Sequence, residues 1–430
     1  MEKDFDAIVV GAGPAGSAAA YAMAKDGLNV LMIERGEYPG SKNMFGGMVY
    51  CNCISKVFPS FWEEAPIERP VVNQRITLVN DDASVDITFS DPSFANPPMN
   101  GCTVLRSKFD RWLAKKAIEA GALVMNDTVV DDLIWHQGKV VGVKVGREEG
   151  MVYSDVVIIA DGTNSLLTEK ARLKDKLAAS TVSLGVKELI ALPEEVINER
   201  FNLSENKGAA YLYIGCLKGL EGGGFVYTNK KSLSVGIVCQ VDALLREQIK
   251  PWELIEEFKK SYVIKDLIRG GTMKEYTARL IPEAGLKGLP RLYCDGALVA
   301  GSAAGLVVNN GVTLRGVDLA FASGIAAANT VKTAKEKGDV TSKTLSKYED
   351  FLKEQLVLQD LKTYKNAPKF FLNRSVYDQL PKLICNLGRA AFTVGDEPRK
   401  RIPALAKAAI RENLSVSQLI KIMIQAGRSL

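Results

Sequence analysis

Six residues near the start, Gly11-Ala12-Gly13-Pro14-Ala15-Gly16, can bind a phosphate without any charged side chain. In a G-x-G-x-x-G turn the first glycine makes the tight bend. The second lets the backbone approach a pyrophosphate, and the third lets the following helix pack on a strand. That helix, opened by Pro14 and Ala15, turns free N–H groups and a positive dipole end towards the phosphates. Glu34, 18 residues after Gly16, stands close to where an acid reaches a ribose hydroxyl, with Arg35 beside it. The chemistry is dinucleotide binding, and this turn alone does not choose between a flavin and a nicotinamide dinucleotide.

Two later strand-to-glycine breaks narrow the choice. Val156–Ala160 ends in Asp161-Gly162, and Leu298–Ala300 ends in Gly301-Ser302. Asn309-Asn310-Gly311-Val312-Thr313 is then expected to open the long helix from Val317 to Glu336. A two-ring cofactor lying extended across a sheet needs a helix start for its pyrophosphate and polar groups for its ribityl chain. It also needs a second helix dipole near its ring carbonyls. Three such elements in this order point to FAD. Val129, at the start of an expected strand to Trp135, joins the candidate cofactor-binding residues. No second dinucleotide motif is present: Gly222-Gly223-Gly224 reads as a flexible turn before a strand. Electrons are therefore expected to enter from a protein and not from NAD(P)H. The single histidine, His136, reads as solvated in a turn with Gln137-Gly138. Flavin redox chemistry belongs to the cofactor, so no catalytic residue is assigned.

The elements that must position these residues follow from hydrophobic periodicity. Phe5–Val10 and Asn29–Ile33 read as strands around a helix that reaches Lys25. Ser55–Glu64 reads as a short amphipathic helix. Gln74–Phe89 reads as a strand pair turning at Asn80-Asp81-Asp82. Phe109, Trp112, Leu113, Ala117 and Ile118 mark the apolar face of a helix. Strands are expected at Leu123–Met125, Val129–Trp135, Val140–Val145 and Val152–Ala160. From Ala178 to about Ile281 the pattern is β-rich, interrupted by a helix over Pro251–Tyr262. The expected fold is α/β. Residues 1–75, 101–177 and 286–340 form a discontinuous FAD-binding domain. Residues 76–100 and 178–285 form an inserted, mainly antiparallel β domain for substrate or quinone, and 341–430 form a helical C-terminal region.

At 430 residues the chain is long enough for two or three domains. Lys+Arg 55 against Asp+Glu 50 leaves +5, too small an excess to argue for nucleic acid. There is no signal-peptide pattern and no apolar run long enough to span a bilayer, which points to the cytoplasm. The seven cysteines are scattered, and the Cys51/Cys53 spacing matches neither zinc nor iron–sulfur patterns. No metal site is expected. Leu414, Leu419, Ile420, Met423 and Ile424, with Lys400-Arg401, Lys407, Arg411 and Lys421 nearby, form a basic amphipathic helix. Such a helix caps a core or lies on a membrane surface.

The glycine turn, the Arg106/Asp110 pair within Val104–Asp110, Asp161-Gly162 and the Gly301 segment resemble the glutathione-reductase-type FAD-binding Rossmann fold. The branch with an inserted antiparallel domain includes aromatic hydroxylases, geranylgeranyl reductases and electron-transfer-flavoprotein:quinone oxidoreductases. Asn310–Ala320 followed by Ser323-Gly324, and Gly40-Ser41-Lys42-Asn43-Met44-Phe45-Gly46-Gly47, are similar to the FixC branch of the last group. That resemblance covers essentially the whole chain. It implies a flavin that takes electrons from electron-transfer flavoprotein alpha and beta subunits and passes them towards a quinone, at a peripheral site on the cytoplasmic face of the membrane. Larger relatives carry a four-iron four-sulfur domain whose cysteines this chain lacks. A separate ferredoxin-like iron–sulfur subunit is therefore implied, and whether the assembly bifurcates electrons is left open, since that depends on flavin potentials in a partner. The family has Gly-Asp where this chain has Gly301-Ser302, so a neutral acceptor replaces a charged one, at roughly half the strength. The rivals on this fold are a geranylgeranyl-reductase-like or monooxygenase-like flavoenzyme, and a protein-binding scaffold like the GDP-dissociation inhibitors.

Overall fold

The computed structural model describes residues 3–42, 47–146, 150–396, 398–413 and 415–429. Asn43 to Gly46 of the Gly40–Gly47 segment, and Leu414, lie outside these residues. Two large sheets organise the chain.

Strand Phe5–Val10 lies at the centre of the first, eight-stranded sheet. It pairs in parallel with Val30–Ile33 on one side and Met151–Ile159 on the other. Leu123–Met125 and Ala297–Val299 extend the parallel set outwards. Ala7 to Val10 are buried, as expected for a strand covered on both faces. The chain order reverses across Phe5–Val10, which opens a crevice at the carboxyl ends of the strands. Helices Pro14–Lys25 and Val317–Lys337 cover the sheet. They pack closely because Gly324 has no side chain: a Cβ there would overlap the carbonyl oxygen of Ala15.

The second sheet has nine strands, antiparallel except where Ile67–Val79 pairs with Gly208–Ile214. Strand Ile67–Val79 runs unbroken through the expected domain boundary at residue 75. It draws Gly101–Val104 and Met48–Tyr50 into the same sheet. One face of this sheet forms a core with helices Glu194–Phe201, Val241–Glu247 and Pro251–Lys260, built on Val186, Ile190, Val235, Ile237 and Phe258. On the other face, Tyr227 packs against Gly47.

Gly222-Gly223-Gly224 is not a turn. These residues begin strand Gly222–Thr228. The reason is close approach: side chains would strike the carbonyl of Val238 from Gly222 and the Phe258 ring from Gly224. The expected helix over 55–64 is also divided. Asn52–Val57 is helical, Phe58 before Pro59 turns extended, and Phe61–Glu63 is a separate turn. Proline disfavours helical backbone in the residue before it. From Ser342 to Ser429 every described element is a helix or helical turn, with a small core on Phe370, Phe371, Leu383 and Ile422.

Candidate functional site

Gly11 adopts φ +98°, and a Cβ there would lie 2.5 Å from the carbonyl oxygen of Ala160 and 3.3 Å from the Asp161 Cα. The first glycine thus lies directly on the Asp161 turn. A Cβ on Gly16 would overlap the Gly11 carbonyl oxygen, so helix and turn require glycine at both ends. Gly13 has open space around its Cβ position. It caps helix Pro14–Lys25 without a side-chain hydrogen bond, and the first turn carries no acid. The free N–H groups of this helix start and the open space at Gly13 suit a diphosphate.

Glu34 is 8% exposed and already committed to this turn. Its carboxylate accepts from the Ala12 N–H at 3.0 Å and the Gly36 N–H at 2.7 Å. The Thr128 N–H donates to the Glu34 carbonyl, which sets the half-exposed Val129 beside it. Each carboxylate oxygen keeps a further acceptor position for a ribose hydroxyl. Arg35 lies next in the chain and is exposed.

The third break joins the other two. Gly301 has φ +65°, and a Cβ there would lie 2.9 Å from the Ala15 Cβ. Its N–H donates to Ser323 Oγ at 2.9 Å. Ser302 is therefore brought to the start of helix Pro14–Lys25, half-buried. One oxygen of Asp161, Oδ1, is buried with no hydrogen-bond partner. Burial pushes this carboxyl up, while Ser165 and the Leu167 N–H pull it down. An orphaned acceptor at Asp161 and open space at Gly13, both beside the glycine turn, fit a polar, extended cofactor.

Arg106 opens helix Arg106–Glu119 and forks onto Asp110 at 2.6 and 2.7 Å. Burial pushes the Asp110 carboxyl up, and Arg106 opposes that shift. Gly40, at φ +92°, packs on the Arg106 carbonyl and ties the 36–42 loop to this helix. Gly47 receives the Val104 N–H on its carbonyl and lies against the Tyr227 ring.

Gly311, Val312 and Thr313 do not open the long helix. They form the tip of a hairpin, Val308–Asn309 with Leu314–Arg315, and the helix starts at Val317. Asn309 accepts from the Gly311 N–H, and Asn310 accepts from those of Val312 and Thr313. The asparagines thus satisfy the donors that a helix start would leave free. The tip rests against Phe371.

Sequence reasoning did not single out two groups. Tyr50, Arg315, Asp318 and Cys53 form one. Arg315 holds Asp318 at 2.7 Å and also Asp360 in the C-terminal region. Burial, then Asp318, pushes the Tyr50 phenol up to about 12. Lys187 and Arg279 of the second sheet form the other. Burial pushes the Lys187 ammonium down to about 8. Their only signal was a lysine at an inward position of an alternating strand.

Comparison with known proteins places this crevice in a family. The chain is 42% identical over 413 residues to Protein FixC of Salmonella typhimurium, across 95% of this chain and 96% of that one. The chain belongs to the FixC family. It is also 39% identical over 402 residues to the probable electron transfer flavoprotein-quinone oxidoreductase YdiS of Escherichia coli, across 93% of each. The family model for glucose inhibited division protein A matches residues 6–197. Among solved structures, the fold is similar to a geranylgeranyl bacteriochlorophyll reductase-like protein from Thermoplasma acidophilum. The TM-score is 0.74 at 22% identity, covering 98% of this chain and 99% of that one. It is also similar to the FAD-dependent halogenase CndH, at TM-score 0.66 and 17% identity, covering 95% and 97%. This FixC-family chain is an FAD-dependent oxidoreductase of electron transfer, with a Rossmann-like FAD-binding fold.

Proposed function

We propose that this protein is a relay flavoprotein, taking electrons from an electron-transfer flavoprotein and passing them towards a quinone. The observation that supports this most is the near full-length similarity both to FixC and to a probable electron transfer flavoprotein-quinone oxidoreductase. FAD supplies the redox chemistry. In this reading, Gly11, Gly13, Pro14, Ala15 and Gly16 hold its diphosphate and Glu34 its adenosine ribose. Asp161, Gly162, Gly301 and Ser302 hold the chain between its two rings. Gly47, Arg106, Val129 and the 311–313 tip complete the site.

We further propose that the iron–sulfur cluster belongs to a separate ferredoxin-like subunit, in a complex able to bifurcate electrons. Among the described residues no group of three or more His, Cys, Asp or Glu is placed to hold a metal ion. The membrane face assigned here is the C-terminal helical pair. Ile402, Ile420, Met423 and Ile424 are exposed there, as are Phe392 at the end of helix Gln379–Phe392 and the basic Arg399, Lys400, Arg401 and Lys421. On helix Val416–Ser429, Leu419 and Ile422 turn to the core while Ile420, Met423 and Ile424 face outwards. No described helix is long and apolar enough to cross a membrane. A cationic rim around exposed apolar side chains suits the anionic cytoplasmic leaflet.

The reading is tested by mixing the purified flavoprotein, without air, with reduced electron-transfer flavoprotein and then with a soluble quinone. Bleaching and recovery of flavin absorbance are expected. Direct reduction by NADH, with no response to the flavoprotein donor, would overturn it.

A further inference from the structure

The second sheet turns a buried cation, Lys187, towards the dinucleotide crevice. Lys187 is 3% exposed, and no described residue forms a hydrogen bond or ion pair with it. An unpaired ammonium at this depth is costly unless an anion is brought to it. Elsewhere in the same domain the buried charges are matched. Glu188, the next residue, faces the helical side and holds Lys259 at 2.8 Å. Arg69, the most buried arginine, binds Asn198, Glu194 and three backbone carbonyls.

Register shows what accompanies Lys187. It stands opposite Gly236 on one side and Thr277 on the other. Arg279 pairs with Gly185, so it lies diagonally beside Lys187 on the same face. Arg279 also has no hydrogen bond or ion pair with a described residue, and burial lowers its pKa. Gly236 leaves room for the Phe225 ring, which stacks on Tyr227 at 4.8 Å. Tyr227 in turn touches Gly47. The charged groups acting on Arg279 are Arg35, Arg106 and Glu34, and those acting on Lys187 are Glu275 and Arg106. Glu34 is the acid fastened to the glycine turn, so this cationic face looks directly at the dinucleotide site.

We propose that Lys187 and Arg279, alongside Arg106, form a cationic wall that takes up negative charge of bound FAD and ties the second sheet to the first. The charge comes either from the diphosphate or from the ring once it is reduced. The inference rests on FAD being the cofactor. Flavin absorbance of the wild-type protein tests that separately, because a colourless wild type fails that reading before any variant is compared.

The test uses full-length wild type, Lys187→Met, Lys187→Arg and Arg279→Gln. Each flavin-free protein is titrated with FAD, FMN and riboflavin, and the potential of each FAD-loaded form is measured. If the diphosphate is the source, Lys187→Met binds FAD at least tenfold more weakly, riboflavin binding is unchanged, and Lys187→Arg recovers most of the loss. If the reduced ring is the source, affinity for oxidised FAD is unchanged and the potential falls by about 30 mV per tenfold change. In both cases Lys187→Met raises the melting temperature of the flavin-free protein, because a buried unpaired charge is removed. A purely structural lysine would lower it. Arg279→Gln, at a less buried position, repeats the test if Lys187→Met does not fold. Unchanged FAD affinity and unchanged potential in a folded Lys187→Met, or in a folded Arg279→Gln, would overturn the proposal.

Discussion

Replacing Glu34 with glutamine removes the charge from an acceptor at the centre of the nucleotide turn. The carboxylate accepts from Ala12 at 3.0 Å and from Gly36 at 2.7 Å, and it is nearly buried. Glutamine keeps one oxygen for the Gly36 N–H but turns an amide NH2 towards the Ala12 N–H. One bond is lost, the other becomes a neutral one, and a buried donor faces another donor. A hydrogen bond to a charged group contributes about 1.5–3 kcal/mol, which corresponds to roughly tenfold to a hundredfold in binding. Glu34→Gln should therefore weaken FAD by that factor, and Glu34→Ala, losing both bonds, by more. The assay is titration of flavin-free protein with FAD, followed by flavin fluorescence, with circular dichroism to show that the variant is folded. A folded Glu34→Gln whose affinity lies within about twofold of wild type, near 0.4 kcal/mol, would refute the idea that this acid organises the turn.

Gly16→Ala should purify without flavin, because its Cβ meets backbone and not a movable side chain; the ratio of flavin to protein absorbance checks it. If the diphosphate is the source of the charge that Lys187 takes up, FAD affinity of the flavin-free protein should weaken as pH rises through about 8, the value to which burial lowers Lys187. Below that pH the ammonium is charged and available to an anion. Above it, binding must take up a proton, at a cost of up to about tenfold per pH unit. Glu275 and Arg106 face the same group in opposite senses, and Lys187→Met should flatten the profile. Gly224→Ala should lower stability by about 1–3 kcal/mol through overpacking against Phe258, read by urea unfolding. Phe392→Asp combined with Met423→Asp should reduce sedimentation with anionic vesicles several-fold without changing bound flavin.

Local chemistry made the first sheet legible. Strand, glycine turn, helix and second strand between Phe5 and Glu34 follow one another within hydrogen-bonding reach, so residue type and spacing carry most of the geometry. The Asp161 and Gly301 breaks were readable for the same reason, and they meet on Gly11 and Ala15. Where tertiary contacts set the geometry, local reading failed. Gly222–Gly224 resembles a turn by composition, but the strand needs glycine there because Val238 and Phe258 press against it. The 311–313 segment resembles a helix start until Asn309 and Asn310 consume its donors. Lys187 and Arg279 become neighbours only through the pairing of Val182–Ala191 with Thr272–Pro282. That register depends on a long-range pairing that no local spacing encodes.

The central claim is that one flavin in this crevice relays electrons between proteins. Its most direct test is anaerobic stopped-flow mixing of the FAD-loaded protein with reduced electron-transfer flavoprotein, followed by a soluble quinone, with NADH alone as the parallel arm. The account predicts flavin bleaching by the protein donor, recovery on adding quinone, and no reaction with NADH. Bleaching by NADH with no response to the protein donor would contradict it.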